Sequence, residues 1–488
     1  LASTRNLSDT QALLGGGTAG DALVTDTGGR MEVSADHTAT FNARVDSLSA
    51  GVVGASGAQA RNDIDARVVA GIRAGAHLNT WDLDVHALNQ SRKPWLAQFN
   101  VVAGAGGLAG GAAGSGETRV DNITRVEVGD NARVRVLGDP DDAGRTSFNA
   151  VSEVMLRDRA KLEAGGAISA ADAESIIEVN INPLTTAAGD VGRTEARVGS
   201  NVVIDTVGDF NLAARENVDV EARASSKTWG LAAYADGYSK SDIHSRSTTS
   251  IGAGSDIRAD GFINLGAGRD AGGVRNRFSS VAHTDLYNNS LVPIPGLDWG
   301  ADGLLTQTNR IIVDGSLRSV KDVSLIADKG FGHIVNGHGV ARDLYSQAAS
   351  AIASGISNLF GGGDVSIEQN SGRSIELSQA GATVNGFIDA GIHNQRWMTI
   401  SETDSGGGAL PVTLSTQVPR DGQEAKCQAP GVAGCVYDTY SKQYWISRSD
   451  GLDMPVARIE NLQDNLQTRI DSLKNIRGQY QGVTSTGA

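Results

Sequence analysis

The chain has 488 residues, a net charge of −14 and a pI near 5.0, and it is 40% hydrophobic but only 5% aromatic. That length can bury a large core of small aliphatic side chains, while the acidic balance argues against a phosphate-binding surface and so against nucleic acid as a partner. Sixty-two glycines against nine prolines indicate turns that need positive φ or close backbone approach, without the proline content of a disordered linker.

The chain opens on Leu1 without a basic-then-apolar leader, so it is expected to be a processed product or, preferably, a piece of a longer protein. Residues 1–40 are assigned to N-terminal strands or a linker. Residues 41–195 form a first repeat unit with a Gly-rich insertion, VVAGAGGLAGGAAG at Val101–Gly114. This run is too short and too glycine-rich to cross a bilayer, and no membrane insertion is expected. Asn42–Leu78 aligns without gaps on Glu221–Ile257 at a constant offset of 179 residues. Ala43-Arg44, Gly51, Asp63-Ile64, Arg67, Ile72 and Ala74-Gly75 recur as Ala222-Arg223, Gly230, Asp242-Ile243, Arg246, Ile251 and Ala253-Gly254.

Within residues 196–405, the second repeat unit, a shorter phrase recurs: VGSNVVIDTVGDFNLAA (Val198–Ala214), IGAGSDIRADGFINLGA (Ile251–Ala267) and VDGSLRSVKDVSLIA (Val313–Ala327). A degraded copy is VEVGDNARVRVLGD (Val126–Asp139). Each copy spells two short strands and two corners, and such strands are stable only when stacked on copies of themselves. The expected fold is therefore all-β, a parallel β-helix (solenoid) with strands about 4.8 Å apart, small aliphatics inside and Gly or Asn at the corners. Ile204, Ile257, Ile263, Leu265 and Leu325 are expected to point inward.

Two insertions interrupt this pattern. TWGLAAYADGYSKSDIHS (Thr228–Ser245) reads as a hairpin turning at Asp236-Gly237. Its Trp229, Tyr234 and Tyr238 are a candidate platform for a glycan or partner, or else they cover the side of the solenoid. RDLYSQAASAIASGISNLFGGG (Arg342–Gly363) reads as a helix with Leu344, Ala348, Ile352, Ile356 and Phe360 on one face.

The runs His283–Gly296, Ile311–Gly330 and Arg342–Ser366 resemble the large bacterial surface proteins called LktA-family filamentous adhesins, which are similar in turn to filamentous haemagglutinins. The resemblance covers roughly Ala196 to Thr403 and extends weakly back to Asn42. It implies a secreted, right-handed β-helical region within a very long chain, located at the bacterial cell surface or outside it. It also implies adhesion or surface coating as the role, and no catalytic residues.

Beyond Gly406 the phrase fades. Residues 406–456 carry Cys427 and Cys435 in CQAPGVAGC, a loop able to close as a disulfide in an oxidising compartment or to hold a free pair. Val436–Gly451 reads as hairpins. Residues 457–488 contain an amphipathic helix over Ala457–Tyr480, with Ile459, Leu462, Leu466, Leu473, Ile476 and Tyr480 on its stripe. This helix is expected to dock on a neighbouring segment or subunit or to pair with itself.

No metal or cofactor is expected. His333 and His338 miss the spacing of a helical zinc pair, and DPDD (Asp139–Asp142) and GGGD (Gly361–Asp364) match no calcium loop. The function expected is a structural and adhesive segment, not an enzyme, with other copies, adjacent segments of a longer chain or surface glycans as partners. The alternative is a polysaccharide-binding or polysaccharide-degrading β-helix enzyme, which needs carboxylates stacked on adjacent strands.

Overall fold

A computed structural model describes residues 1–15, 24–96, 99–138, 144–293, 299–345 and 365–390, and beyond these only the strands 398–400, 412–414, 432–433, 437–438, 443–448 and 453–457. Every element assigned among the described residues is a strand. β1 (Ala2–Leu14) and β2 (Val24–Thr40) make a first layer. β3 (Val45–Ala50), β4 (Val53–Ile72) and β5 (His77–Lys93) make the next. β6 (Val101–Gly106), β7 (Ala109–Val128), β8 (Arg133–Val136) and the first half of β9 (Thr146–Val179) follow. The second half of β9, β10 (Arg193–Val198), β11 (Val203–Thr206) and the first half of β12 (Phe210–Ile251) form another layer.

The remainder of β12 leads into β13 (Asp256–Ala259), β14 (Ile263–Ala267) and β15 (Arg277–Pro293). β16 (Gly300–Val313), β17 (Ser316–Ser319), β18 (Val323–Ala327) and β19 (Ile334–Tyr345) come next. β20 (Val365–Ser371), β21 (Arg373–Val384) and β22 (Phe387–Ala390) close the series. Almost every pairing among these strands is parallel and joins one layer to the next. The exception is β19 with β20, which pair antiparallel.

The sequence repeat has a structural cause. Val45 pairs with Val101, Val101 with Ala160 and Ala160 with Ala224, steps of 56, 59 and 64 residues that together make the 179-residue offset. The recurring phrase likewise lands in register. Val198 pairs with Ile251 and Ile251 with Val313, Ile204 with Ile257 and Ile257 with Leu317, and Leu212 with Leu265 and Leu265 with Leu325, all parallel. Ile204, Ile257, Ile263 and Leu265 are buried, and Leu325 packs on the same cluster. At one corner Gly75, Asn131, Asn201 and Gly254 all take left-handed φ between 56° and 72°. Gly and Asn are the residues that adopt this conformation at low cost.

Three apolar clusters make the core. One lies among the short strands, around Phe148, Phe210 and Ile257; a second includes Ile64, Leu156 and Phe278; a third is almost all alanine, with Val101 and Leu162. Inward polar residues such as Asn122, Asn180, Glu216 and Asp158 separate them. The alanine-rich cluster accounts for the low aromatic content, because facing walls of alanine lie too close for rings.

The hairpin expected at Asp236-Gly237 is not formed. β12 runs through both residues, and Gly237 pairs with Ala173 along a straight arm. The chain instead reverses at Gly230-Leu231, where the pairing skips Leu231 between Gly230 and Ala232. Its two arms face each other through side chains: Ser226 Oγ donates to the Asp236 carbonyl at 2.5 Å, and Ser245 Oγ to Glu216 Oε2 at 2.8 Å. Each arm bonds to neighbouring layers rather than to its partner arm, so the Asp-Gly turn signal was overridden by tertiary pairing. Gly51, Gly107, Gly166 and Gly230 stack at these tips, where a Cβ on Gly107, Gly166 or Gly230 would strike the carbonyl of the glycine in the preceding layer. The Gly-rich run at Val101–Gly114 is thus β6, a tip and the start of β7.

The expected helical insertion is also not supported, since Arg342–Tyr345 end β19 and pair antiparallel with β20 at Val365–Glu368. Residues 346–364 lie outside the described residues. A separate antiparallel sheet contains Tyr437–Asp438, Gln443–Arg448 and Asp453–Ala457, which gives the hairpin pattern expected there. Ala457, the expected start of the C-terminal helix, is a strand residue. The stripe residues Ile459, Leu462, Leu466, Leu473, Ile476 and Tyr480, together with Cys427 and Cys435, lie outside the described residues.

Candidate ligand-binding face

The outward side chains of β9, β12, β15 and β19 form columns, because parallel register places every second residue of each strand over its counterpart in the next. Arg159 pairs with Arg223, Arg223 with His283, and His283 with His338. The result is a column of four basic or ionisable nitrogen groups at the strand repeat of about 4.8 Å. The His283 and His338 rings stack with centroids 5.5 Å apart. Burial, then the Arg223 charge, hold His283 below the usual histidine range, and His338 adds to the effect.

Aromatic rings edge the column. β5 ends where Pro94 removes a backbone donor, and Trp95 and Phe99 cover the arginines. The Arg159 guanidinium lies 4.6 Å from the Trp95 centroid and 4.8 Å from Phe99, Arg223 lies 5.5 Å from Trp95, and Lys161 lies 5.5 Å from Phe99. Further along the same arm, the Lys227 ammonium sits 5.2 Å from Trp229 and 4.9 Å from Tyr287. Cations held over rings keep much of their charge available to an anion. Acidic neighbours offset part of it, since Arg223 pairs with Glu221 and Lys161 with Glu163 at 2.8 Å.

The three aromatics singled out in the sequence do not share a face. Trp229 belongs to this arm, whereas Tyr234 and Tyr238 lie beyond the Leu231 tip on the returning arm. There Tyr234 donates to Asp236 at 2.5 Å and Tyr238 to Asp302 at 2.7 Å. Burial, with the Asp302 hydrogen bond, holds the Tyr238 phenol well above its usual range. On this arm Asp172 pairs in register with Asp236, and Glu174 with Tyr238. Burial, then Asp172 and Glu117, push the Glu174 carboxyl up.

Other features are smaller. A cleft of about 220 Å³ lies beside Asn211, Asn264, Arg269 and Asp270, below the usual size of a site that encloses an organic ligand. His333 is bound to Glu376 at 2.9 Å and packs edge-on against Phe278. No group of three or more His, Cys, Asp or Glu side chains among the described residues is placed to hold a metal.

Sequence reasoning did not bring Trp95, Phe99, Arg159, His283 and His338 together, because residues 55 to 64 positions apart share no local pattern. One trace was visible: Arg44 and Arg223 are partners in the 179-residue repeat, and Arg159 lies on the same series of steps. No family model, curated protein or solved structure matches this chain in comparison.

Proposed function

We propose that the chain is a parallel β-solenoid segment of an extracellular structural and adhesive protein of the bacterial cell surface, and that its arm face bearing Arg159, Arg223, His283 and His338 holds an acidic glycan. The in-register basic column, edged by Trp95, Phe99 and Trp229, carries this reading. It concentrates cations on one face of a chain whose net charge is −14, and a polyanion meets it through ionic contacts while sugar faces lie on the rings. Long parallel ladders supply the stiff scaffold that an adhesive or coating segment needs.

The test is binding of labelled polygalacturonate, with neutral dextran as the control. Joint Arg159→Ala and Arg223→Ala substitution is expected to weaken polygalacturonate binding at least tenfold, about 1.4 kcal/mol, and to leave the thermal midpoint nearly unchanged. Affinity should also rise as pH falls below the ordinary histidine range, since the depressed His283 then becomes cationic. Equal binding of both polymers, or an unaffected double variant, refutes the reading.

A second reading is a polysaccharide-active site on the other arm, favoured by the register pairing of Asp172 with Asp236 and by the raised Glu174 carboxyl, which suits a general acid. It requires release of reducing ends from a polysaccharide panel, abolished by Glu174→Gln.

A further inference from the structure

The most unusual chemistry in the molecule is inside it. Lys93 and Asp158 are both fully buried and form an ion pair, Nζ to Oδ2, at 2.7 Å. Beside them lie Thr118 and Asn62, also fully buried. The Thr118 hydroxyl joins all three partners: it accepts from Lys93 Nζ at 2.7 Å and from Asn62 Nδ2 at 3.2 Å, and it donates to Asp158 Oδ2 at 2.8 Å. The four residues occupy four strands. Asn62 on β4 pairs in register with Thr118 on β7, and Lys93 closes β5 two residues before the position opposite Asp158 on β9. Two oxygens of this cluster, Asn62 Oδ1 and Asp158 Oδ1, have no hydrogen-bond partner.

A buried lysine–carboxylate pair is costly to hold, because neither ion recovers its lost hydration in full. Burial pushes the Lys93 ammonium toward its neutral form, against the opposing pull of Asp158. The orphaned oxygens point the same way. Both are acceptors, and a proton passed from Lys93 Nζ to Asp158 would give the cluster a further donor while leaving Lys93 a neutral amine.

We propose that Lys93 and Asn62 are the acceptor and donor sites of an intramolecular amide cross-link, formed with Asp158 as the proton carrier. Asp158 takes one proton from the Lys93 ammonium. The Nζ lone pair attacks Asn62 Cγ, the carbonyl π pair moves to Oδ1, and the tetrahedral centre collapses with cleavage of the Cγ–Nδ2 bond. Nδ2 leaves as ammonia, taking a second Lys93 proton through the Thr118 hydroxyl. Asp158 retains the first proton as a neutral carboxylic acid that donates to the new amide oxygen. The step is balanced without oxidant or cofactor and converts two buried charges into two neutral groups. Its surroundings exclude water: Ile64, Val120 and Leu156 lie on one side and Ala60 and Ala160 on the other. The bond would tie β4 to β5, two strands that share no backbone pairing in the ladder.

Intact mass of the denatured full chain decides the matter. The expected mass is one ammonia below that of the sequence, and proteolysis should yield a branched peptide joining the segments around Asn62 and Lys93. Lys93→Arg keeps the buried cation and should restore the full mass. Asp158→Asn should do the same where that variant folds. A full mass for the unsubstituted chain overturns the proposal. So does a deficit of one water with Lys93 joined to Asp158, or an ammonia deficit that maps to other asparagines.

Discussion

Glu216 shows how much a single inward polar residue matters. It is completely buried at the junction of two apolar clusters, where Asn180 Nδ2 donates to Oε1 at 2.6 Å and Ser245 Oγ to Oε2 at 2.8 Å. Burial outweighs these donors and pushes the carboxyl up to about 7. A carboxyl raised in the folded state binds more protons there than in the unfolded chain. The stability it contributes is therefore present below the ordinary glutamate value and is lost as pH rises toward about 7. Glu216→Gln keeps an acceptor for Asn180 and replaces the acceptor facing Ser245 Oγ with an N–H that the hydroxyl can accept, without the ionisation. It is expected to leave stability unchanged at acid pH and to increase it above neutrality by on the order of 3 kcal/mol, with a higher thermal midpoint there. Thermal melts of both proteins across pH check this, and parallel pH profiles would refute it. Gly254 and Asn201 illustrate the complementary kind of residue, whose role is backbone conformation at a corner rather than any side-chain chemistry.

At the scale of the element, the arms of β12 decide what the tips can tolerate. Alternation along an arm is strict, with Ala233, Ala235, Gly237, Ser239 and Ser241 all inward and Tyr234, Asp236, Tyr238 and Lys240 outward. One extra serine between Asp236 and Gly237 would turn every later residue of that arm to the wrong face until the corner, burying Lys240 and Asp242. One extra serine between Leu231 and Ala232 falls where a residue already stands unpaired and Leu231 is 57% exposed. The tip insertion is expected to cost less than about 1 kcal/mol, whereas the arm insertion should abolish the cooperative thermal transition. A true hairpin at Asp236-Gly237 would give the reverse order. Thermal melts followed by circular dichroism distinguish the two.

At the scale of the whole molecule, the ladder poses an edge problem. β1 pairs with β4 and β2 with β5, and among the described residues neither has a strand on its other edge. Such an edge presents a row of backbone donors and acceptors and, with Leu7 45% exposed, some apolar surface. A second copy of the chain can satisfy it, so the chain is expected to self-associate, and removal of residues 457–488 is expected to weaken the association. Copies carrying a charge of −14 each should associate more tightly as added salt or divalent cations screen their repulsion. Light scattering across salt, with and without residues 457–488, measures this, and a monodisperse monomer throughout would exclude it.

Strand content, the equivalence of Val198–Ala214, Ile251–Ala267 and Val313–Ala327, and the 179-residue register were legible in the sequence, because period-two alternation and glycine corners are local properties of the chain. The same alternation also marked Ile204, Ile257 and Leu265 as inward residues. Which distant residues lie side by side depends instead on how the layers pair. The steps between parallel-paired strands vary from 52 to 71 residues, so Arg159, Arg223, His283 and His338 share a column that no fixed period reveals. The same holds for Lys93, Asn62, Thr118 and Asp158, which meet because opposing arms face across a narrow interior. It holds as well for Asp236-Gly237, where a strong local turn signal lost to the in-register backbone bonds that neighbouring layers offer along the whole arm.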